Sequence, residues 1–166
     1  MSEVVCRCVT YASKSAIIIN VHKPFYASGF FYHPASQQIL LQQQTHGDEV
    51  KFVLFRGKSD KGSEPQAVFQ QCIEESLGIP VKPSSIRPVY DYIHEKFGAH
   101  FIFYVEITDA IPKALTDKEE TQWISLTKLS KHKMSEQTRH DIVVGERVIR
   151  ALQEQKNPST PTKGWH

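Results

Sequence analysis

An α+β fold, with a mixed β-sheet sandwiched between helices, is what this sequence predicts, and three observations predict it. Short runs rich in β-branched and aromatic residues crowd positions 4–55. A single strong helical signal follows at 63–78, and a second pair of strand-like runs comes after it. A long amphipathic stretch at 135–156 closes the pattern. Clustered strands with isolated helices argue against a doubly wound parallel sheet, which would alternate strand and helix throughout.

Val4–Thr10 and Ala16–Val21 read as short strands, and Tyr26–His33 as an aromatic strand closed by the turn His33-Pro34-Ala35-Ser36. Gln38–Gln43 follows, then a loop at Thr45-His46-Gly47-Asp48 and a strand over Lys51–Phe55. Arg56–Gly62 is polar and glycine-bearing, so a loop is expected there. Ser63 and Gln66 have the S-x-x-Q spacing of a capping box, and Pro65 suits a first turn whose N–H groups lack intrahelical acceptors. Ala67, Val68, Phe69, Cys72, Ile73 and Leu77 recur at helical spacing, and Gly78 with Pro80 supplies the stop. Ile86–Glu95 and His100–Thr108 read as a hairpin around Lys96-Phe97-Gly98. Gln122–Leu126 is a short strand, and Ser135–Lys156 is a helix despite Gly145. Residues 1–156 are expected to form one domain, and 157–166, with two prolines and no apolar pattern, a mobile tail.

Composition bounds the function. The chain has 166 residues, 40% hydrophobic and 23% charged, with 20 Lys and Arg against 18 Asp and Glu. A net charge of +2 gives no strong field for nucleic acid or anionic lipid, although a local basic patch is compatible with it. Three cysteines are too few and too unevenly placed for a disulfide scaffold, and no apolar run approaches the ~20 residues of a membrane helix. Met1-Ser2-Glu3 does not open a basic-then-apolar leader. A cytoplasmic, reduced protein without a membrane segment is the expectation. The Cys6-x-Cys8 pair lacks the further ligands of a zinc site, and the eight histidines show no helical H-x3-H pair.

The loop and helix around 57–79 resemble the signature of the Nudix hydrolases, G-x5-E-x7-R-E-U-x-E-E-x-G-U, where U is a bulky aliphatic residue. Gly57 and Gly78 stand 21 positions apart, as the two signature glycines do, and Ile79 fills the last aliphatic place. Gly29-Phe30-Phe31 followed by Gln38-Ile39-Leu40-Leu41-Gln42-Gln43 is similar to the family's opening strands. Glu119–Leu126 with Trp123, then Leu129, is similar to its late strand and the approach to its last helix. The resemblance spans Tyr26–Leu152 and implies the Nudix fold. It also implies a helix whose glutamates hold Mg²⁺, with one helping to activate the water that attacks a pyrophosphate. Carboxylates suit that task because Mg²⁺ is a hard cation and the diphosphate adds negative charge that must be offset.

The signature is only partly filled. Counted from Gly57, its first Glu falls on Ser63, its Arg-Glu pair on Gln71 and Cys72, and its paired glutamates on Glu75 and Ser76. With Leu77 taken as an insertion, Glu74 and Glu75 become the paired glutamates and Gln70-Gln71 replaces Arg-Glu; Gln71 then shares a helix face with both. Phe55-Arg56-Gly57 stands where members commonly have Pro-Gly-Gly. A glutamine keeps an acceptor oxygen but loses the charge that binds Mg²⁺ and the basicity that accepts a proton. The resemblance thus implies Glu75 and Glu120 as catalytic carboxylates and Glu74 and Glu75 as ligands of a weakly held Mg²⁺. It implies Arg56, Gly57 and Gln71 as residues that bind the ligand. Adjacent glutamates are also what any solvated helix face carries. Cys72 is expected to be a small buried hydrophobe rather than a nucleophile. Tyr90, Tyr92, Phe101, Phe103 and Tyr104 divide between core and a base-stacking pocket, and Trp123 reads as packing.

Three functions fit. The leading one is a degenerate Nudix-fold protein that binds a nucleotide-like or other phosphorylated small molecule with pyrophosphohydrolase activity weak or absent. The others are an active, divergent Mg²⁺-dependent Nudix hydrolase of nucleoside diphosphate-linked compounds, and a non-catalytic protein-interaction module.

Overall fold

A computed structural model describes residues 24–59, 62–116 and 119–158, together with the backbone of 6–7. Strands expected over Val4–Thr10, beyond positions 6 and 7, and over Ala16–Val21 lie outside the described residues, as does the tail from 159 onward. The described elements run β1 (Cys6–Arg7), β2 (Phe25–His33), β3 (Gln38–His46), β4 (Glu49–Val53), β5 (Phe55–Ser59), α1 (Pro65–Leu77), β6 (Ile86–His94), β7 (Gly98–Glu106), α2 (Lys113–Thr116), β8 (Thr121–Ser125) and α3 (Glu136–Lys156).

The strands form one mixed sheet in the order β1-β6-β7-β2-β3-β4, with β5 also on β2 and β8 also on β3. β2 is its centre. It runs parallel to β7 from Phe25↔Ala99 to Tyr32↔Glu106, and its other edge is shared. The first half pairs with β5 (Phe25↔Ser59 to Gly29↔Phe55) and the last three residues with β3 (Phe31↔Leu40 to His33↔Gln38). A strand with neighbours on both edges and helices on both faces must be apolar almost throughout, which is why Phe25-Tyr-Ala-Ser-Gly-Phe-Phe-Tyr lacks any charge.

Alternation along the strands sorts the core into two layers. Phe25, Ala27, Phe31, Leu40, Phe55, Phe103 and Val105 pack under α1 with Phe69, Ile73 and Leu77. Phe30, Tyr32, Ile39, Val89, Tyr90, Tyr92, Ile102 and Tyr104 pack under α3 with Ile142 and Ile149. Each such side chain contributes about 1.5–3 kcal/mol on full burial. Two glycines allow the close approaches. A Cβ on Gly29 would lie 2.3 Å from the Phe103 carbonyl oxygen and 2.7 Å from the Phe69 ring, and one on Gly145, in mid-α3, would lie 2.6 Å from the Phe30 ring. Gly145 is therefore a contact point for the sheet and no interruption of the helix.

Three local expectations are corrected. Positions 56–59, read as the start of a polar loop, join Phe55 in strand β5, because backbone pairing to β2 outweighs composition; Phe55 and Ser59 turn inward while Arg56 and Lys58 stay exposed. The strand expected over Lys51–Phe55 divides at Leu54 between β4 and β5. The Ser63–Gln66 capping box does not form. The N-cap of α1 is Glu64, with no side-chain cap bond, and the Gln66 Nε2 donates instead to the Pro83 carbonyl at 2.8 Å. The other end follows the sequence reading: Gly78 adopts φ 69° and its N–H donates to the Glu74 carbonyl at 2.8 Å. In α3 the cap is present, since the Ser135 Oγ accepts from the Thr138 N–H at 3.1 Å. The short helix α2 had no counterpart in the sequence pattern. Among the described residues no helix is long and apolar enough to cross a membrane.

Candidate functional site

Between β5 and α1 lies a cleft of about 480 Å³, lined by Arg56, Gly57, Lys58, Ser59, Ser63, Val68, Gln71, Cys72, Glu75 and Ser76. Its floor is the contact of strand and helix. A Cβ on Gly57 would sit 3.0 Å from Val68 Cγ1 and 3.1 Å from Cys72 Cβ, so glycine lets the strand lie against α1. The helix contributes one face. Ile73, one position on from Cys72, is fully buried in the core, and this places Cys72, Glu75 and Ser76 on the cleft side at i, i+3 and i+4.

That rotation separates Glu74 from Glu75. Glu74 points away from the cleft, its Oε1 accepting from the Val81 backbone N–H at 2.9 Å and from Gln70 Nε2 at 3.2 Å, while Gln70 also donates to the Val81 carbonyl at 2.8 Å. Glu74 and Gln70 therefore fasten the chain after α1, and the pairing of Glu74 with Glu75 as neighbouring metal ligands is not what the structure brings together. Leu77 is buried under the sheet. Gln71 does reach Glu75, its Nε2 donating to Oε1 at 2.8 Å.

Cys72 is half-buried, and burial, the largest cause, pushes its thiol pKa up. A bond with the Ser76 hydroxyl acts the other way, and the Glu75 charge again raises it. The thiol stays protonated at neutral pH, which fits the inert role expected of it. Glu119 and Glu120 are exposed in the turn before β8 and, with Gln42, Ser76 and Thr121, line a second hollow of about 400 Å³. Ser76 lines both hollows, so Glu120 stands near the C-terminal end of the cleft.

The donor set does not match the Mg²⁺ site the resemblance implies. Among the described residues no group of three or more His, Cys, Asp or Glu side chains is placed to hold a metal ion. The helix wall of the cleft offers one carboxylate, beside an amide, a thiol and a hydroxyl.

Arg56 lines the cleft, and its guanidinium lies on the α3 side of the sheet, 5.3 Å from the centre of the Tyr26 ring. A row of rings runs across that face. Tyr26 stacks on His100 at 4.9 Å, His100 on Tyr92 at 4.8 Å, and Tyr92 on Tyr90 at 5.6 Å. At the end of the row the Tyr90 hydroxyl donates to Asp141 Oδ1 of α3, which also accepts from Gln137 Nε2 at 2.8 Å. Burial drives His100 down to about 4, with the Arg56 and His94 charges adding to it, and pushes Tyr92 up to about 12. His100 is buried, and neither ring nitrogen has a hydrogen-bond partner among the described residues. Tyr90, Tyr92, Phe103 and Tyr104 are all core residues, and Tyr90, Phe101 and Phe103 also line a hollow of about 490 Å³ between the start of α1 and the end of α3. Trp123 packs at the edge of the α1 layer, as expected. No sequence signal marks His100 or Asp141, because each acquires its neighbours through pairing of distant strands.

A central strand that pairs parallel to β7, with a helix entered from β5 and a last helix on the opposite face, is the Nudix fold. A MutT/Nudix family protein from Listeria innocua matches it with a TM-score of 0.60 at 13% identity, over 81% of this chain and 97% of that one. A MutT structure from work on Aliivibrio salmonicida and Vibrio cholerae matches at 0.58 and 15% identity, over 77% and 98%. The Nudix domain of Shewanella oneidensis NrtR, solved with ADP-ribose, matches at 0.54 and 11% identity, over 76% and 86%. No protein-family sequence model matches the chain, and no curated protein matches it in sequence. Identities this low speak for the fold alone.

Proposed function

We propose that this protein binds a nucleotide-like or other phosphorylated small molecule in the cleft between β5 and α1, and hydrolyses pyrophosphate bonds weakly or not at all. One observation carries the reading: the cleft wall of α1 presents Gln71, Cys72, Glu75 and Ser76, a single carboxylate already bonded to a neutral amide. Mg²⁺ requires near-ideal oxygen coordination and gives up its water reluctantly, so one carboxylate holds it poorly. Binding needs less. Ser59, Ser63 and Ser76 hydroxyls and the Gln71 amide offer hydrogen bonds to phosphate oxygens or sugar hydroxyls. The ADP-ribose held by the NrtR Nudix domain is the kind of ligand this fold accommodates.

The test is a panel of ADP-ribose and nucleoside di- and triphosphates, each with and without Mg²⁺, read by thermal shift and by phosphate release. The expected result is a rise in melting temperature for at least one compound, without dependence on Mg²⁺ and without turnover. Cys72→Glu, which places a second carboxylate one turn before Glu75, should tighten Mg²⁺ binding in calorimetry. Turnover of the unaltered protein at about 1 per second or faster would overturn the reading. In that event the divergent hydrolase stands, and the feature that favours it is Glu120 beside Ser76 at the end of the cleft.

A further inference from the structure

The face of β5 opposite the cleft carries a feature that small-molecule binding does not use. Alternation turns Arg56 and Lys58 away from α1, and both cations lie over Tyr26, at 5.3 and 5.9 Å from its centre. From Tyr26 the path of rings continues through His100 to His94, 6.4 Å further, and from His94 to Phe97 at 4.8 Å. Lys96 Nζ is 5.8 Å from the Phe97 ring. Rings and cations thus follow one another from β5 to the tip of the β6–β7 hairpin. That tip is open to solvent, with Phe97 52% and Ile93 69% exposed. Arg56 and Lys96 are both exposed, and no ion pair engages either among the described residues. Glu95 is the one acidic side chain in the connection 95–97.

We propose that this end of the sheet is a binding surface for single-stranded nucleic acid, with phosphates against Arg56 and Lys96 and a base stacked on Phe97. Cations that track a backbone, interleaved with an exposed ring that accepts any base face, are the two parts such a surface needs. An acidic peptide would use the cations and leave Phe97 idle, and a duplex hides its base faces. The whole-chain charge of +2 supplies no long-range attraction, so affinity comes from these few contacts. Counterion release from two phosphate contacts gives a slope of log affinity on log salt of roughly −1.4. Arg56 also borders the β5–α1 cleft, whereas Lys96 and Phe97 lie outside its lining, so variants at Lys96 and Phe97 test this surface apart from what the cleft binds.

The experiment uses the full chain and a fluorescein-labelled single-stranded RNA dodecamer of mixed sequence, read by anisotropy. The dodecamer's own duplex and a dodecamer of polyglutamate serve as competitors. Micromolar binding of the single strand is expected, with the duplex at least tenfold weaker and polyglutamate a poor competitor. Phe97→Ala should weaken binding roughly fivefold or more, Phe97→Trp should retain it, and Lys96→Ala should reduce the salt slope by about 0.7. Both side chains are exposed at a turn, so an unchanged melting temperature will verify that the variants fold. Absence of single-strand binding, equal affinity for the duplex, or binding that Phe97→Ala leaves intact while polyglutamate competes would each overturn the proposal.

Discussion

Under α1 the sheet presents Phe25, Phe31, Phe55 and Phe103, and the helix answers with Phe69, Ile73 and Leu77. Under α3 it presents Tyr32, Tyr90, Tyr92 and Tyr104, and the helix answers with Ile142 and Ile149 but also with buried Asp141. The first layer is mainly hydrocarbon, with Cys72 and Trp123 at its margin. The second is aromatic with hydroxyls, joined by the Tyr90–Asp141–Gln137 bonds and adjoined by the unpartnered imidazole of His100. One sheet therefore has a face whose stability follows volume and a face whose stability follows protonation. The difference also explains how α1 can carry cleft residues without a side-chain N-cap: its buried Phe69, Ile73 and Leu77 set its rotation, and the Gly78 cap and the Gln70 and Glu74 bonds to Val81 hold its other end.

The comparison breaks most visibly at Phe69, fully buried and stacked on Phe103 at 5.6 Å. Phe69→Ala should cost about 3–5 kcal/mol in denaturant unfolding, with no dependence on pH between 5 and 8. A loss below about 1 kcal/mol would mean that the α1 layer closes over the void, and that its packing is looser than the contacts indicate.

His100 sharpens the other side. The unfolded chain takes up the imidazole proton near pH 6.5, and the folded chain only near 4. In that window the unfolded state binds more protons, so stability present above pH 6.5 is lost as pH falls toward 4, by on the order of 3 kcal/mol. His100→Phe should flatten this slope and raise stability at neutral pH, since it removes two buried nitrogens without partners. A variant with the parent's pH profile would place the acid sensitivity elsewhere.

Asp141 should act with the opposite sign. Burial, its largest influence, raises its pKa against the bonds from Tyr90 and Gln137. The folded state therefore keeps this proton to higher pH than the unfolded one, and its contribution to stability is lost as pH rises through the folded value. Asp141→Ala is expected to cost about 1–3 kcal/mol by removing the buried acceptor of the Tyr90 O–H and of Gln137 Nε2. Asp141→Asn keeps an acceptor, should cost less, and should steepen the acid-side loss, all of which chemical denaturation across pH will read.

The smallest contrast lies in the caps. Ser135→Ala should cost about 1 kcal/mol, because its hydroxyl accepts the Thr138 N–H. Glu64→Ala, at the corresponding position of α1, should stay within about 0.5 kcal/mol, because no side-chain bond is made there. Equal losses would remove this asymmetry between the helices.

Much of the fold was legible because long apolar periodicities dictate it: α1, α3, β2 and the β6–β7 pair lie within a residue or two of the expected bounds. β5 was not, since two exposed cations in five residues outweigh Phe55 in any local reading, and only pairing with β2 makes it a strand. The capping box failed for a similar reason, as Gln66 found a better acceptor at Pro83, far along the chain. For the candidate site, the glycine spacing located the cleft, but the rotation of the helix needed a fact the sequence lacks. That fact is the burial of Ile73, which sends Cys72 and Glu75 to one side and Glu74 to the other.

The parallel pairing of β2 with β7 has a consequence for how the chain is made. Phe25 meets Ala99 and Tyr32 meets Glu106, so the central strand has no partner on that edge until most of the protein has been synthesised. During translation the nascent chain carries the uncharged strand β2, with β3 and β5 along its other edge and one backbone ladder open. Contacts of such long sequence separation slow folding and extend the interval in which an open strand edge can find the wrong partner. Its lifetime on the ribosome is governed by the emergence of β7, so the sheet's weakest moment comes before its last central strand leaves the exit tunnel.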